Sequence, residues 1–178
     1  MKKNGYIKLF IGPMYAGKST EVLREIKRFA IAKRRGILIK YTQNTYYDPF
    51  CTHDQQVYPA FSVKTLSEIE EKTINETDVI GIDEGHFFPD LDTFCENMAN
   101  NGKVVIVSAL SGDSNRENFP NSKIFQLIPK AEYVIKLSAI CDICGKDASY
   151  SKIITEKNEL SGKPEEKYIA VCRECFFI

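Results

Sequence analysis

Residues Gly12-Pro13-Met14-Tyr15-Ala16-Gly17-Lys18-Ser19 stand between a short apolar run, Tyr6 to Ile11, and a helical pattern, Ser19 to Lys33. The order strand, glycine-bearing loop, helix constrains the fold more than any other stretch of this chain. A loop of this spacing wraps backbone N–H groups around phosphates and points a helix N-terminus at them. It adds one ammonium, Lys18, and one hydroxyl suited to magnesium, Ser19. The alternative, an ordinary turn with a lysine nearby, requires neither the strand before nor the helix after. The ligand to expect is therefore ATP or GTP, held by Gly12 through Ser19 with Thr20 following in the helix.

The remaining apolar runs fit that beginning. Gly36 ends the first helix and Ile37-Leu38-Ile39 is a second buried strand; Val79-Ile80-Gly81-Ile82 runs into Asp83-Glu84. A helix over Leu91 to Asn101, closed by Gly102, precedes the strand Val104-Val105-Ile106-Val107. Thr65 to Lys72 reads as a short charged helix, and Thr42 to Val57, with Pro49 inside it, as a long loop able to order over a ligand. Continuously apolar strands separated by helices predict an α/β fold, a P-loop (RecA-like) parallel sheet with helices on both faces. Such sheets bind ligands at the carboxyl ends of their strands. The expected nucleotide-binding domain spans 1–138. From about Ser138 the texture changes to cysteines, glycines and short polar runs, so a smaller zinc-ribbon or lasso domain is expected over 139–178.

At 178 residues, 43% of them hydrophobic, the chain can bury a real core. Lys and Arg number 24 against 24 Asp and Glu, so no overall field favours nucleic acid or a membrane surface. The basic residues Lys27, Arg28, Lys33, Arg34 and Arg35 suit a solvated helix face and helix end. No apolar run approaches the roughly 20 residues of a membrane span. Met1 to Gly5 leads into a strand rather than a signal sequence, so a cytoplasmic protein is expected. A zinc-ribbon nucleic-acid binder with an accessory ATPase is disfavoured by the balanced charge.

Magnesium on a nucleotide needs only one or two protein oxygens, commonly a P-loop hydroxyl and a carboxylate at a nearby strand end. Ser19 and Asp83 fit. Glu84 places a second carboxylate beside the first, suited to accept a proton from an attacking hydroxyl or water. The alternative is that both merely solvate the strand end. Further on, Cys141-x-x-Cys144 and Cys172-x-x-Cys175 have the spacing of a tetrahedral zinc site, and four thiolates leave no open position, so this metal is expected to be structural. Two disulfides or redox dithiols are the competing reading, which a cytosolic setting disfavours. Cys51 and Cys95 read as small apolar residues. Zinc would tie the chain end back to Ala139 and turn Lys146 to Lys167 into a closed excursion, a natural lid.

Together these motifs resemble the zinc-containing thymidine kinases of the cellular and poxviral type, from Ile7 to Phe176. They are GPMYAGKST from Gly12, KY at Lys40, CTHD from Cys51, VIGIDEGHFFPD from Val79, FCENMANNGKVVIVSAL from Phe94, LIPKAE from Leu127, VIKLSAIC from Val134 and YIAVCRECF from Tyr168. The resemblance implies transfer of the ATP γ-phosphate to the 5′-hydroxyl of thymidine, with Lys18, Ser19 and Asp83 at phosphate and magnesium and Glu84 as the base. It also implies a thymine pocket walled by Met14, Phe87, Leu110 and Phe119, a lasso containing Gly162 and ending at Tyr168, and a homotetramer. dTTP is a candidate inhibitor.

Several positions depart from the family pattern. Asn44-Thr45-Tyr46 replaces Asp-x-Arg, Ser114 stands where an aromatic ring usually encloses the nucleoside, and Ile153 replaces an arginine. Leu160 to Pro164 replaces a β-branched, double-glycine run. His86 replaces a common glutamine and reads equally as a packed polar residue or as a ligand contact. Arg116 is retained and is a candidate to compensate for lost charge. These departures motivate an alternative, a catalytically weakened or specificity-shifted nucleotide-binding paralogue.

Overall fold

The computed structural model describes residues 4–42, 50–51, 57–157 and 164–178. Strand β1 (Tyr6–Gly12) leads through the phosphate loop into helix α1 (Lys18–Ile31), and β2 (Gly36–Tyr41) follows. Two short paired strands, β3 (Phe50–Cys51) and β4 (Val57–Tyr58), precede β5 (Phe61–Val63), α2 (Glu71–Asn75) and β6 (Val79–Asp83). Then come α3 (Leu91–Asn100), β7 (Val104–Leu110), α4 (Ile124–Leu127) and β8 (Tyr133–Lys136). Two antiparallel pairs end the chain, β9 (Ala139–Ile140) with β10 (Asp147–Ala148) and β11 (Tyr150–Lys157) with β12 (Pro164–Val171), followed by α5 (Arg173–Phe176).

A six-stranded sheet runs in the order β5-β2-β6-β7-β1-β8, and every pairing within it is parallel. Alternate residues of its central strands feed two cores, as period-2 side-chain geometry requires. Leu9, Val105 and Val107 pack on one face with Leu91 and Cys95 of α3. Phe10, Val104 and Ile106 pack on the other with Val22 and Ile26 of α1. The α/β class and the helix-covered parallel sheet are as expected.

The sheet also contains two edge strands that the apolar pattern did not announce, β5 and β8. Both are short: β5 breaks its apolar residues with Ser62, and β8, though it begins Tyr133-Val134-Ile135, is mostly exposed at the sheet edge. The expected helix over Thr65 to Lys72 is instead a 3₁₀ turn, Leu66–Glu68, followed by α2. Gly36 does not end α1. The left-handed residue after that helix is Lys33, with φ 57°, while Gly36 opens β2 at a point where a Cβ would meet Ile26 at 2.9 Å.

Parallel pairing brings the carboxyl ends of the strands to one edge. Gly12 lies opposite Leu110, Lys40 opposite Asp83 and Ile82 opposite Val107. The phosphate loop, the acidic pair and the end of β7 therefore share that edge. Beyond β8, Ala139, Ala148, Ala170, Val171 and three of the clustered cysteines, Cys141, Cys172 and Cys175, form a separate buried group, with Cys144 exposed beside it. Ala16 of the phosphate loop packs against it.

Candidate active site

The phosphate loop turns into α1 at Gly17, whose φ of 77° is left-handed and which caps the helix. Gly17 has no side chain to cap that end, an arrangement that suits an anion at the helix N-terminus. Lys18 folds back to donate to the Pro13 carbonyl at 2.6 Å. Burial pulls its pKa down, opposed by Glu84 and Asp83. Ser19 Oγ donates to Asp83 Oδ1 at 2.8 Å, and Ser108 Oγ donates to the same oxygen. Burial pushes Asp83 up while both hydroxyls pull it down. Ser19 and Asp83 thus present a hydroxyl and a carboxylate together, a pair that fits magnesium. Ser108 carried no signal in the sequence, because its role depends on β6 and β7 lying side by side.

Glu84 follows β6 with φ 56°, a left-handed backbone that costs a non-glycine residue about 1–3 kcal/mol and clusters at functional sites. The next residue must be small: a Cβ on Gly85 would lie 2.7 Å from Val107 Cγ1. The turn aims Glu84 away from the sheet, and its side chain is 45% exposed. Burial within the apolar site and the neighbouring Asp83 charge raise its pKa to about 7, with Lys18 opposing. His86 is buried, and it is also among the residues that line the site's cavity. The backbone N–H of Leu110 donates to its Nδ1 at 3.3 Å, and its Nε2 lies 3.3 Å from Glu84 Oε2. Burial and the Lys18 charge lower its pKa to about 3, so this contact joins a carboxylate to a neutral ring and is no ion pair.

A cavity of about 460 Å³ opens between these groups. Gly17, Lys18, Ser19 and Thr20 line it on the phosphate side, together with Tyr15 and Glu84. Met14, Phe87, Leu110 and Phe119 supply apolar surface, and Ser114 and Tyr168 also line it. Ser114 therefore does face the cavity at the position where an aromatic ring was expected. Gly12 and Pro13 are buried in the loop, Asp83 lies behind Ser19, and Gly162 and the Asn44 to Tyr46 segment fall outside the described residues. The ring of His86 is stacked with Phe87 at 4.1 Å and with Phe119 at 4.6 Å.

Two further residues, Ser151 and Asp113, and the contacts of Arg116 emerge only in three dimensions. Met14 N–H donates to Ser151 Oγ at 2.9 Å, which makes β11 a support of the phosphate loop. Asp113 Oδ1 accepts from the N–H groups of Asn115 and Glu117 at 2.9 and 2.8 Å, shaping the loop that carries Ser114. Arg116 lies over the rings of Phe176, Phe177 and Tyr150 at 4.6, 4.7 and 5.5 Å. That stacking ties the loop to the chain end.

The sulfurs of Cys141, Cys144, Cys172 and Cys175 all lie within 4.8 Å of one another, with Cys144 and Cys172 3.6 Å apart. A tetrahedral zinc with bonds of about 2.3 Å needs sulfurs about 3.8 Å apart. None of the four is in a disulfide. The cluster fits a metal such as zinc.

The family model for thymidine kinase matches residues 5–176. The chain belongs to the thymidine kinase family. It is 49% identical over 179 residues to the thymidine kinase of Yaba monkey tumor virus, covering 98% of this chain and 96% of that protein. It is 47% identical over 175 residues to the thymidine kinase of rabbit fibroma virus, covering 97% of each. Thymidine kinase 1 of Dictyostelium discoideum is 45% identical over 180 residues, 97% of this chain and 78% of that one. Membership makes this chain a phosphotransferase of the kinase type, and relatives of this similarity, all named thymidine kinases, give the weakened-paralogue alternative no support. Among the described residues no helix is long and apolar enough to cross a membrane.

Proposed function

We propose that this chain transfers the γ-phosphate of ATP to the 5′-hydroxyl of thymidine. The single observation that carries this reading is that Lys18, Ser19 and Glu84 line the same cavity as Met14, Phe87, Leu110 and Phe119. A phosphate cradle, a carboxylate and a flat apolar slot are what an alcohol on a nucleoside requires.

The loop from Gly12 to Thr20 binds the triphosphate, with Lys18 released from Pro13 to neutralise it. Ser19 and Asp83 would hold magnesium, which supplies charge neutralisation at the phosphates when bound. Glu84 accepts the proton of the 5′-hydroxyl as that oxygen bonds to the γ-phosphorus. The bond from that phosphorus to the β–γ bridging oxygen breaks and ADP leaves. Phe87, Phe119, Leu110 and Met14 enclose the base, with Ser114 and Tyr168 beside them and Gly162 in the closing lasso.

The four cysteines serve a structural zinc that closes residues 139–178 into a unit distinct from 1–138, and the chain works in the cytoplasm as a homotetramer open to inhibition by dTTP. Purified protein with magnesium and ATP is expected to phosphorylate thymidine preferentially within a panel of deoxynucleosides. Glu84→Gln is expected to abolish this while ATP still binds. Activity of Glu84→Gln equal to wild type would remove Glu84 from the mechanism.

A further inference from the structure

His86 is a buried ring, 3% exposed, held on two sides by aromatic neighbours, and its two nitrogens have unequal roles. Nδ1 accepts the backbone N–H of Leu110, so it carries no proton, and the proton of the neutral ring sits on Nε2. That N–H is enclosed and has no hydrogen-bond partner of good geometry. A buried donor left in this state costs about 1–3 kcal/mol, and the nearest acceptor is the carboxylate of Glu84 at 3.3 Å. Glu84 itself stands on a left-handed turn with its side chain half open to the cavity. Its backbone is fixed, and its carboxylate lies beside the neutral His86 ring.

We propose that His86 is the positioning residue for Glu84: the Nε2–H, fixed in direction by Leu110 and the flanking rings, donates to the Glu84 carboxylate and keeps it turned over the cavity. A small rotation of the Glu84 side chain completes the bond, since distance is already near the hydrogen-bonding range and only alignment is lacking. Glutamine is an uncharged side chain of similar reach that can meet both demands, its amide oxygen accepting from Leu110 and its amide nitrogen donating to Glu84. Leucine or methionine meets neither.

This inference rests on the kinase reading, and the experiment separates the two. Wild type, His86→Gln and His86→Leu are compared for kcat and KM with thymidine at saturating magnesium and ATP, and for thymidine binding by calorimetry. His86→Leu is expected to lower kcat about 10- to 100-fold while thymidine affinity stays within about threefold. His86→Gln is expected to recover most of the lost kcat. Should His86→Leu not fold, His86→Met takes its place in the comparison with His86→Gln. A leucine or methionine variant that turns over like wild type overturns the positioning role, as does a loss of thymidine affinity in step with kcat, or a glutamine variant no better than the apolar one. Absence of turnover in the wild type would instead count against the kinase reading.

Discussion

Met14 and Ser151, 137 residues apart in the chain, are joined by a 2.9 Å bond from the Met14 N–H to the Ser151 hydroxyl. The Tyr15 hydroxyl reaches the Tyr168 carbonyl at 3.3 Å, so two consecutive phosphate-loop residues hold the two strands of one hairpin. Those strands, β11 and β12, lie between the cysteine pairs. The cysteine cluster is therefore connected to the loop through the hairpin.

Removing the metal should consequently reach the nucleotide site. Treatment with a strong chelator is expected to lower the thermal midpoint and weaken ATP binding together, and readdition of zinc to restore both. Metal analysis should find zinc lost from Cys172→Ser. Ser151→Ala leaves the Met14 N–H without its partner and is expected to cost about 1–3 kcal/mol in stability, with zinc content unchanged. ATP affinity that ignores zinc loss would refute the coupling.

Ser108 should control how readily Asp83 stays ionised. Its hydroxyl is one of two that pull the buried Asp83 down against the raising effect of burial. Ser108→Ala therefore raises Asp83 further and weakens its hold on magnesium. The half-saturating magnesium concentration is expected to rise about tenfold, and more steeply as pH falls. A magnesium titration of initial rates at two pH values tests this.

The carboxyl of Glu84 should make the ligand-free protein less stable in alkali. Its pKa rises from 4.5 to about 7 on folding, so the folded state holds its proton more tightly than the unfolded state. The stability this provides is fully present below pH 4.5 and is lost as pH rises to about 7. Glu84→Gln removes the titration. In magnesium-free and nucleotide-free buffer this variant should melt above wild type at pH 8, and the difference should close as pH falls towards 4.5. Parallel melting curves across that range would show that the group is not perturbed.

Arg116 should matter for nucleoside binding without touching the phosphates. Its guanidinium over Phe176 and Phe177 holds the loop that carries Ser114 and Phe119. Arg116→Ala is expected to cost about 0.5–2 kcal/mol in stability and to raise KM for thymidine more than KM for ATP. Arg116→Lys should recover little, because an ammonium lacks the planar face that stacks on the rings. An equal rise in both constants would show a general loss of fold instead.

The phosphate loop, the acidic pair and the paired cysteines were legible in the chain because each is local: the chemistry needs residue types at short fixed spacing, and the flanking apolar runs declare strand or helix. The same holds for the strands β6 and β7, whose near-complete burial leaves long apolar runs, Val79 to Ile82 and Val104 to Val107, while β1 is largely apolar but interrupted by Lys8. Strands β5 and β8 are only three and four residues long at the sheet edges, too short for their sequence to distinguish an edge strand from a loop. Gly36 was misread because a glycine after a helix looks alike whether it caps the helix or admits a neighbouring Ile26.

Pairings between distant residues belong to the folded chain alone. Ser108 serves Asp83 because β7 lies beside β6, Ser151 serves Met14 because a hairpin returns to the loop, and Arg116 meets three rings that lie far along the chain. His86 shows the division most clearly: its identity is written in the residue order, but which nitrogen holds the proton is set by the backbone N–H of Leu110. Local spacing can encode a motif, whereas the direction of a donor or the neighbour of a carboxylate is decided by packing across the sheet.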